Sequence, residues 1–382
     1  MNDLPAASVL SLMSGTSLDG VDGVLARFEL QDGTLVWEVL DRAGSPYPDD
    51  LRARLEAALR PETSDVLLLT QLHTEVGHAY AQLAEAVALR HSVDLIALSG
   101  QTVYHIPRVD ESRGWRTVST LQLGEASITA ERCRLPVLSD FRQGDMAAGG
   151  QAAPMVSFGD LKLFSAPGRA RAVHNLGGIS NLTYLPSDGG TGEVFAFDTG
   201  PSTCLINEAM MRHYRRPFDE GGRTAAAGRV VLELLAQFLD DDYYDLPPPK
   251  TTGREHFSLA ELERRADLDA VSPADLIATL TALTAESVTR AYRRYVLPFG
   301  LDEIFVAGGG ALNPTLMRML RERLPVPVMT FEERSWHSRD REALAFGVMA
   351  YYAYHGLANT LPSATGAAHP AVAGKLSLPW RG

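Results

Sequence analysis

The sequence predicts an α/β protein built from two similar halves. Short apolar runs, typical of buried strands, alternate along the chain with stretches of helical periodicity. Residues 10–28 and again 172–185 show one pattern: an apolar strand, a glycine-containing turn and a second strand. Because this unit occurs twice, each time followed by further strands and helices, we expect a duplicated fold with a cleft between its halves.

The elements follow in order along each half. In the first half we predict strands at 9–13, 21–28, 93–98 and 135–138 and helices at 49–60, 64–90 and 125–132. In the second half we predict strands at 172–175, 179–185, 194–197 and 304–307 and helices at 202–214, from 273, at 313–323 and at 343–352. Ser272 and Pro273 have the residue types of a helix cap and a first helical position, with Asp275 where a capping-box acid belongs.

Composition excludes several classes of protein. Lys and Arg number 35 and Asp and Glu 47, a net charge of −12, which disfavours a broad nucleic-acid groove or an anionic membrane as partner. We find no run of about 18 apolar residues and no secretory signal, so we expect a cytoplasmic protein without a membrane span. Two cysteines, Cys133 and Cys204, cannot form a disulfide scaffold, and we expect both to be buried thiols.

Polar or glycine-rich clusters follow four of the predicted strands. They are residues 99–102, 139–142, 198–201 and 308–310. Ligands of open α/β sheets bind beyond the carboxyl ends of strands, so these clusters indicate a binding site.

The turn at residues 14–22 is the first candidate element of that site. Its glycines and small hydroxyl residues would let backbone N–H groups approach an anion, and Asp19 could hold a divalent cation. A plain hairpin turn, whose polar side chains serve only the backbone, explains the same residues. The sequence contains no Gly-x-x-x-x-Gly-Lys-Ser/Thr motif, which excludes a P-loop NTPase.

Asp198 is the candidate general base. It follows a predicted strand and could deprotonate a nucleophile, although an N-cap of the next helix is the alternative interpretation. Asp-Thr-Gly occurs once in the chain, whereas an aspartic protease needs two such carboxylates, so that class is excluded.

Other candidates are weaker when taken alone. Gly308–Gly310 and the Asn-Leu-Gly-Gly stretch at 175–178 could lie against a nucleotide or could simply be tight turns. Glu342 begins an apolar helix, and Lys250 could direct a cation at a phosphate. His105, His174 and His256 lie near these loops without the spacing of zinc ligands.

Taken together, these motifs resemble one family. The motifs that carry the resemblance run in order from about residue 9 to 350: Met-Ser-Gly-Thr-Ser-Leu-Asp-Gly-Val-Asp (13–22), Gly-Gln-Thr-Val-Tyr-His (100–105), Asp-Phe-Arg (140–142), Ala-Ala-Gly-Gly-Gln-Ala-Ala-Pro (147–154), Asn-Leu-Gly-Gly-Ile-Ser-Asn (175–181), Phe-Asp-Thr-Gly-Pro (197–201), Pro-Pro-Lys-Thr-Thr-Gly-Arg-Glu (248–255), Gly-Gly-Gly-Ala-Leu-Asn (308–313) and Glu-Ala-Leu-Ala-Phe (342–346). As an ordered set they resemble anhydro-N-acetylmuramic acid kinases.

The resemblance implies two ribonuclease-H-like (actin-like ATPase) α/β domains around a central ATP and sugar cleft. We place the first domain at 1–135, which a C-terminal helix at 340–370 could complete, and the second at 136–382. It also implies a homodimer that uses ATP and Mg²⁺. The implied reaction converts 1,6-anhydro-N-acetylmuramic acid, water and ATP into N-acetylmuramic acid 6-phosphate and ADP, in cell-wall recycling.

The resemblance assigns roles residue by residue. Asp198 matches the catalytic base, and Asp19 and Glu342 match magnesium positions. Gln101, Thr102, Asp140 and Arg142 match residues that contact the sugar. The nucleotide positions are Gly15, Thr16, Ser17, Leu18, Asp19, Gly20, Val21, Asp22, Asn175, Gly177, Gly178, Gly308, Gly309, Gly310 and Asn313.

The chain departs from the family pattern at a few positions. Ser99 stands where the family usually has His, which we expect to affect sugar recognition, and Ser202–Thr203 replaces a common Gly-Asn. Two alternative functions stay open at this point. One is a kinase for 1,6-anhydroglucose (levoglucosan), and the other is an actin-like ATP-binding protein without catalysis.

Overall fold

The structure is a computed structural model that describes residues 3–15, 17–189, 192–253 and 256–380. Thr16 of the predicted phosphate loop lies outside these residues, as do Arg254 and Glu255. The strands are β1 (Leu4–Met13), β2 (Gly20–Gln31), β3 (Thr34–Pro46), β4 (Leu95–Leu98), β5 (Gln101–Ile106), β6 (Ser119–Leu123), β7 (Val137–Ser139), β8 (Arg171–Leu176), β9 (Ile179–Leu185), β10 (Phe195–Pro201), β11 (Glu303–Ala307), β12 (Val328–Thr330) and β13 (Lys375–Ser377).

The α-helices alternate with these strands. They are α1 (Asp49–Ala58), α2 (Val66–Ala88), α3 (Ala126–Cys133), α4 (Phe141–Ala147), α5 (Val156–Phe164), α6 (Thr203–Tyr214), α7 (Arg223–Ala227), α8 (Leu232–Leu239), α9 (Leu259–Glu263), α10 (Pro273–Tyr295), α11 (Pro314–Arg323), α12 (Asp340–Tyr354) and α13 (Pro362–Thr365).

The chain divides into two compact units. The first comprises Met1–Leu163 and Asp340–Gly382, and the second comprises Phe164–Arg339. This division differs from the sequence-based boundary between residues 135 and 136. The reason is that β7 pairs with β4 of the first sheet, which keeps the chain beyond residue 136 in the first unit.

The two units share one strand arrangement. In the first, the strand order is β13-β7-β4-β1-β2-β3, with β1, β2 and β3 antiparallel and β1, β4 and β7 parallel. In the second, the order is β10-β9-β8-β11-β12, with β8, β9 and β10 antiparallel and β8, β11 and β12 parallel. Both are the ribonuclease-H-like arrangement, so the predicted fold class, including the duplication, is confirmed.

Alternation along β1 explains the layers of the first unit. Leu10 and Leu12 are fully buried in a core with Val76 and Tyr80 of α2. Ser11 points to the opposite face, where a Cβ on Gly347 of α12 would lie 3.5 Å from the Cβ of Ser11. Helices therefore cover both faces of this sheet, and one of them, α12, comes from the C-terminal segment.

In the second unit, the longest helix, α10, packs on the sheet. The Ser272 side chain accepts a hydrogen bond from the N–H of Asp275, and Pro273 opens α10. Leu276 and Leu280 are buried in one cluster, while Ala282 and Val288 of the same helix join the core formed by the sheet. The predicted cap of α10 is confirmed.

The first turn of α12 is fastened to the first unit by ion pairs. Asp340 binds Arg42 of β3, with 2.7 Å between the closest atoms. Arg341 binds Asp160 of α5 with both carboxylate oxygens, at 2.8 and 2.5 Å. Both partners of this second pair are buried, with side chains 2% and 0% exposed. These pairs anchor the C-terminal segment in a unit that begins more than 300 residues earlier.

Two further expectations have mixed outcomes. Cys204 is buried as predicted, but Cys133 at the end of α3 is only half-buried, so that part of the prediction is wrong. Within the described ranges, none of the helices combines the length and the apolar content that crossing a membrane requires.

We predict that Asp160→Asn destabilises the protein by about 3–5 kcal/mol, because it leaves the buried Arg341 guanidinium without its counter-charge. Chemical denaturation monitored by circular dichroism measures the change. Arg52→Gln, which breaks the exposed pair with Glu56, is the control and should leave the midpoint unchanged. Equal midpoints for the two variants would show that the buried pair contributes nothing.

Candidate functional site

Asp198 lies inside a strand rather than after one. β10 continues through Asp198 to Pro201, whereas the strand predicted from the sequence ends at Phe197. Asp198 pairs with Asn181 and Gly200 with Ser180, which leaves Thr199 as an extra residue on β10. Such bulges redirect side chains and are frequent beside active sites. Because α6 begins only at Thr203, the alternative that Asp198 caps this helix is wrong.

Three hydrogen bonds fix the position of Asp198. Its N–H donates to the carbonyl oxygen of Lys250 at 3.0 Å, and its own carbonyl accepts from the hydroxyl of Tyr243 at 2.7 Å. The backbone N–H of Thr252 donates to the Oδ2 atom of the carboxylate at 2.9 Å. Within the described ranges, this backbone N–H is the hydrogen-bond donor to the carboxylate.

Burial sets the basicity of Asp198. Removal from water raises the pKa of its carboxyl to about 6, while the N–H of Thr252 and the positive charge of Lys250 oppose that rise. At neutral pH the group is therefore ionised, yet it is more basic than an exposed aspartate. That combination suits a general base.

Lys250 does not have the role that the sequence suggested. Its side chain is buried, and its ammonium group donates to the carbonyl oxygens of Tyr243 at 2.9 Å and Tyr244 at 3.4 Å. The ammonium also lies over the Tyr243 ring, 4.6 Å from its centre. The expectation that Lys250 reaches a phosphate is therefore wrong, because carbonyl groups of its own unit occupy it.

The two predicted glycine segments of the second unit lie together. The Asn175 side chain and the Leu176 carbonyl pack so tightly against Gly308 that a Cβ there would come within 2.6 and 2.7 Å of their oxygens. Gly308 also has a φ of +88°, which favours glycine. A Cβ on Gly309, by contrast, would have no atom within 4 Å. Gly309 therefore presents open backbone next to the β8–β9 turn.

Helix α6 supports that turn from the other side. The carbonyl of Gly177 accepts the N–H of Thr203, and the carbonyl of Gly178 accepts the N–H of Ser202, both at 3.0 Å. The first N–H groups of α6 are thus already bonded to protein. Asn313, another predicted nucleotide residue, uses its side-chain oxygen to cap α11 through the N–H of Leu316, at 3.1 Å.

The predicted phosphate loop of the first unit is a tight turn between β1 and β2. The N–H of Leu18 donates to the Gly15 carbonyl at 3.3 Å, and Leu18 has a φ of +54°. The Ser17 hydroxyl donates to Oδ1 of Asp19 at 2.7 Å, and Asp19 itself is exposed. A Cβ on Gly20 would lie 2.2 Å from the Ser45 carbonyl. Val21 is buried and Asp22 exposed at the start of β2.

Buried side chains stabilise this loop through hydrogen bonds. Gln101 is completely buried; its amide nitrogen donates to the Gly15 carbonyl at 3.2 Å, and its amide oxygen accepts from the Ser14 hydroxyl. The Tyr47 hydroxyl donates to Ser14 at 2.9 Å, and burial raises the pKa of Tyr47 to about 12. Ser99 accepts the N–H of Ser14 at 3.3 Å. Gln101 and Ser99 therefore contact the loop directly, which the sequence did not indicate.

The other predicted sugar residues also have partners within the first unit. The hydroxyl of Thr102 accepts from Gln122 at 3.1 Å. Asp140 pairs with the largely exposed Lys375 at 2.5 Å, and the Arg142 guanidinium donates to the Ala152 carbonyl. Nearby, burial and the charge of Arg142 lower the pKa of His105 to about 4. Contacts of these residues with a sugar stay predictions.

Glu342 lies in the first turn of α12, which begins at Asp340 rather than at residue 343 as predicted. Burial raises the pKa of Glu342, while the charges of Arg341 and Arg142 oppose that rise. Across the described ranges, no three His, Cys, Asp or Glu side chains form a group that could hold a metal ion.

Some residues of the site escaped sequence reasoning. The hydroxyl groups of Tyr243 and Tyr47 form hydrogen bonds with residues that are distant in the sequence. Neither tyrosine lies in a recognised motif. Thr252 was within a recognised motif, but its contribution is a backbone N–H, which residue type does not reveal.

Comparisons with known proteins agree with the motifs. The family model described as "Anhydro-N-acetylmuramic acid kinase" matches residues 7–378. Proteins of that name from Caldanaerobacter subterraneus subsp. tengcongensis and Salinibacter ruber are 39% and 41% identical, each alignment covering 97% of this chain and 96% of the relative. The relative from Francisella tularensis subsp. novicida is 37% identical, covering 97% and 98%.

Solved structures are more distant. A ROK family glucokinase from Streptomyces griseus in complex with glucose and AMPPNP is 13% identical, covers 90% of this chain and 99% of its own, and has a TM-score of 0.39. The family match over nearly the whole length, by contrast, is decisive: the chain belongs to the anhydro-N-acetylmuramic acid kinase family.

Proposed function

We propose that this kinase converts 1,6-anhydro-N-acetylmuramic acid, water and ATP into N-acetylmuramic acid 6-phosphate and ADP, with Asp198 as the general base. The family match supports the reaction and its place in cell-wall recycling. The observation that carries the role of Asp198 is its half-buried carboxylate, with Oδ2 bonded to Thr252 and a pKa near 6.

In this reaction Asp198 accepts a proton from the water molecule that attacks C1 of the anhydro sugar. The C1–O6 bond breaks, and its electron pair stays on O6. O6 then attacks the γ-phosphate of ATP, the bond from that phosphorus to the bridging oxygen breaks, and ADP leaves. The proton from water resides on Asp198 until it returns to solvent. Phosphoryl transfer depends mostly on positioning and charge neutralisation, so no covalent enzyme intermediate is needed.

Each unit contains a glycine-containing turn whose backbone groups we assign to phosphate binding. In the first unit these belong to the turn from Gly15 to Asp22, which Gln101 and Ser14 hold in place. In the second unit they belong to Gly309 and its neighbours beside Asn175. Open glycine backbone lets N–H groups approach an anion without interference from a side chain.

The residues present fit a magnesium ion. Asp19 is an exposed carboxylate on the phosphate turn, and Glu342 is a second carboxylate in the first unit. Mg²⁺ typically binds one or two protein carboxylates together with substrate phosphates and waters. When bound, the ion would neutralise charge on the phosphates.

The sugar-contacting roles of Thr102, Asp140 and Arg142 are part of this proposal. We assign Gln101 to the support of the phosphate turn in addition to any contact with the sugar. The homodimer that the resemblance implies and the cytoplasmic location that the sequence predicts also belong to the proposal.

Sugar-dependent release of ADP tests the proposed function. We expect release with ATP and 1,6-anhydro-N-acetylmuramic acid, and phosphorus NMR should detect a 6-phosphate in the product. A higher kcat/KM for levoglucosan would assign the chain to the alternative kinase activity. Binding of ATP without release for either sugar would mean an ATP-binding protein without catalysis.

We predict that Asp198→Asn folds normally but loses at least about 100-fold in kcat, because the amide cannot accept the proton from water. Steady-state ADP release measures the loss, and circular dichroism checks the fold. Asp269→Asn, which alters an exposed ion pair with Arg212 in the same unit, is the matched control and should keep wild-type turnover. Near-wild-type activity of Asp198→Asn would remove Asp198 from the mechanism.

The raised pKa of Asp198 predicts an acid limit to activity. Below pH 6 the carboxyl is protonated in the free enzyme and cannot act as a base, so kcat/KM for the sugar should fall about tenfold per pH unit. Above pH 6 that limit disappears. Measurements from pH 4.5 to 8, with the fold checked at each value, test this expectation; a profile that is flat down to pH 5 contradicts it.

A further inference from the structure

Lys250 is a buried cation that the proposed reaction leaves without a task. It is 7% exposed, and burial lowers its pKa to about 8, so it still carries its charge at neutral pH. Burial of an ammonium group is costly unless partners compensate. Here the partners are two carbonyl oxygens, of Tyr243 and Tyr244, and the faces of the Tyr243 and Tyr295 rings.

The same residue is connected to Asp198 along two routes. Its carbonyl oxygen accepts the N–H of Asp198 at 3.0 Å, which joins the Lys250 backbone to β10. Its ammonium group holds the single helical turn Asp242–Asp245 through the carbonyl of Tyr243. The hydroxyl of Tyr243 in turn donates to the Asp198 carbonyl at 2.7 Å. Lys250, Tyr243 and Asp198 thus form a closed ring of contacts.

The turn that Lys250 holds is itself well anchored. Asp241 caps it by accepting the N–H of Tyr243 at 2.9 Å. Arg265 binds the Asp241 carboxylate at 2.6 Å, and His256 lies 3.1 Å from it. Hydrogen bonds from the N–H of Tyr243 and from Arg265 keep the pKa of Asp241 low despite its burial, so the cap is ionised. The helical turn that carries Tyr243 is therefore itself held in place.

Charge provides a second link between Lys250 and Asp198. The charged groups that act on Lys250 are Arg294, which disfavours its protonation, and Asp245 and Asp198, which favour it. Arg294 and Asp245 pair with each other at 2.5 Å. Reciprocally, the charge of Lys250 favours the ionised form of Asp198. A cation at this position stabilises the carboxylate that burial would otherwise protonate.

We infer that Lys250 is a positioning residue for the general base: its contacts hold Asp198 in place, and its charge favours the ionised carboxylate. The inference deepens the proposed function and rests on it for the role of Asp198. Lys250 touches neither nucleotide nor sugar in this account and acts only through Asp198 and Tyr243.

The test compares Lys250→Met, which removes the charge, with Lys250→Arg, which keeps it. In Lys250→Met the acid limb of kcat/KM should move to higher pH by roughly half a unit to one unit. In Lys250→Arg the limb should stay at the wild-type position. In Lys250→Met kcat at neutral pH should fall about tenfold, with little change in KM for ATP, since the base is less well positioned. Lys250→Gln, also neutral but able to donate to the carbonyls, replaces Lys250→Met if that variant does not fold.

Carbon-13 NMR of the aspartate carboxyl groups gives a readout that needs no turnover. The Asp198 signal, assigned through its loss in Asp198→Asn, should titrate at higher pH in Lys250→Met than in the wild type. Lys162→Met is the matched control, because Lys162 lies over the Phe158 and Tyr352 rings in the first unit. It should leave the signal and the activity unchanged.

An unchanged Asp198 titration in a folded neutral variant would overturn the inference, as would an equal shift in Lys162→Met. A wild-type protein without sugar-dependent ADP release would instead count against the proposed function. The carboxyl titration would still decide whether Lys250 controls the ionisation of Asp198.

Discussion

The partial burial of one carboxylate governs the candidate active site. Taking Asp198 out of water favours its neutral form, and the chain compensates with a single backbone N–H and a nearby cation. A carboxylate that accepts two or three N–H bonds can have a strongly lowered pKa and would be a poor base. Without either partner, burial would raise the pKa of the carboxyl further. The observed set of partners lies between these limits, which explains a pKa near 6.

The shared strand order gives the two units the same kind of turn but supports it in different ways. In the first unit, side chains of Gln101 and Ser14 hold the β1–β2 turn by long-range hydrogen bonds. In the second unit, N–H groups of α6 bond the carbonyls of Gly177 and Gly178. The same strand order is therefore combined with two different ways of stabilising a glycine-containing turn. The second solution also engages the N–H groups at the start of α6.

Local sequence signals predicted local structure well. The cap at Ser272 and the strand at 179–185 depend on neighbouring residues, and both are as predicted. Asp198 was identified from its motif, but its strand continues because of pairing with Asn181, and its partners Thr252 and Tyr243 are 54 and 45 positions away. Periodicity and propensity contain no information on such contacts.

Gln101 is a second residue whose distant hydrogen-bond partners could not be predicted from the sequence. The family resemblance assigns it to the sugar, and its amide is bound to a turn 86 positions earlier. A buried amide must satisfy both its donor and its acceptor atoms, and which partners do so depends on the tertiary structure. Ser99, a departure from the family pattern beside it, likewise contacts Ser14. This departure therefore bears first on the support of the phosphate turn.

The first turn of α12, which contains the predicted metal ligand Glu342, also depends on contacts between residues distant in the sequence. Three consecutive charged residues face different environments: Asp340 binds Arg42, Arg341 binds Asp160, and Glu342 feels the charges of Arg341 and Arg142. From sequence, acidic residues at a helix start are ordinary partners of its dipole. Here the buried Asp160, 181 positions before Arg341, fixes the rotation of the turn. The environment of Glu342 is thus determined by the ion pair between Arg341 and Asp160, of which Glu342 is not a member.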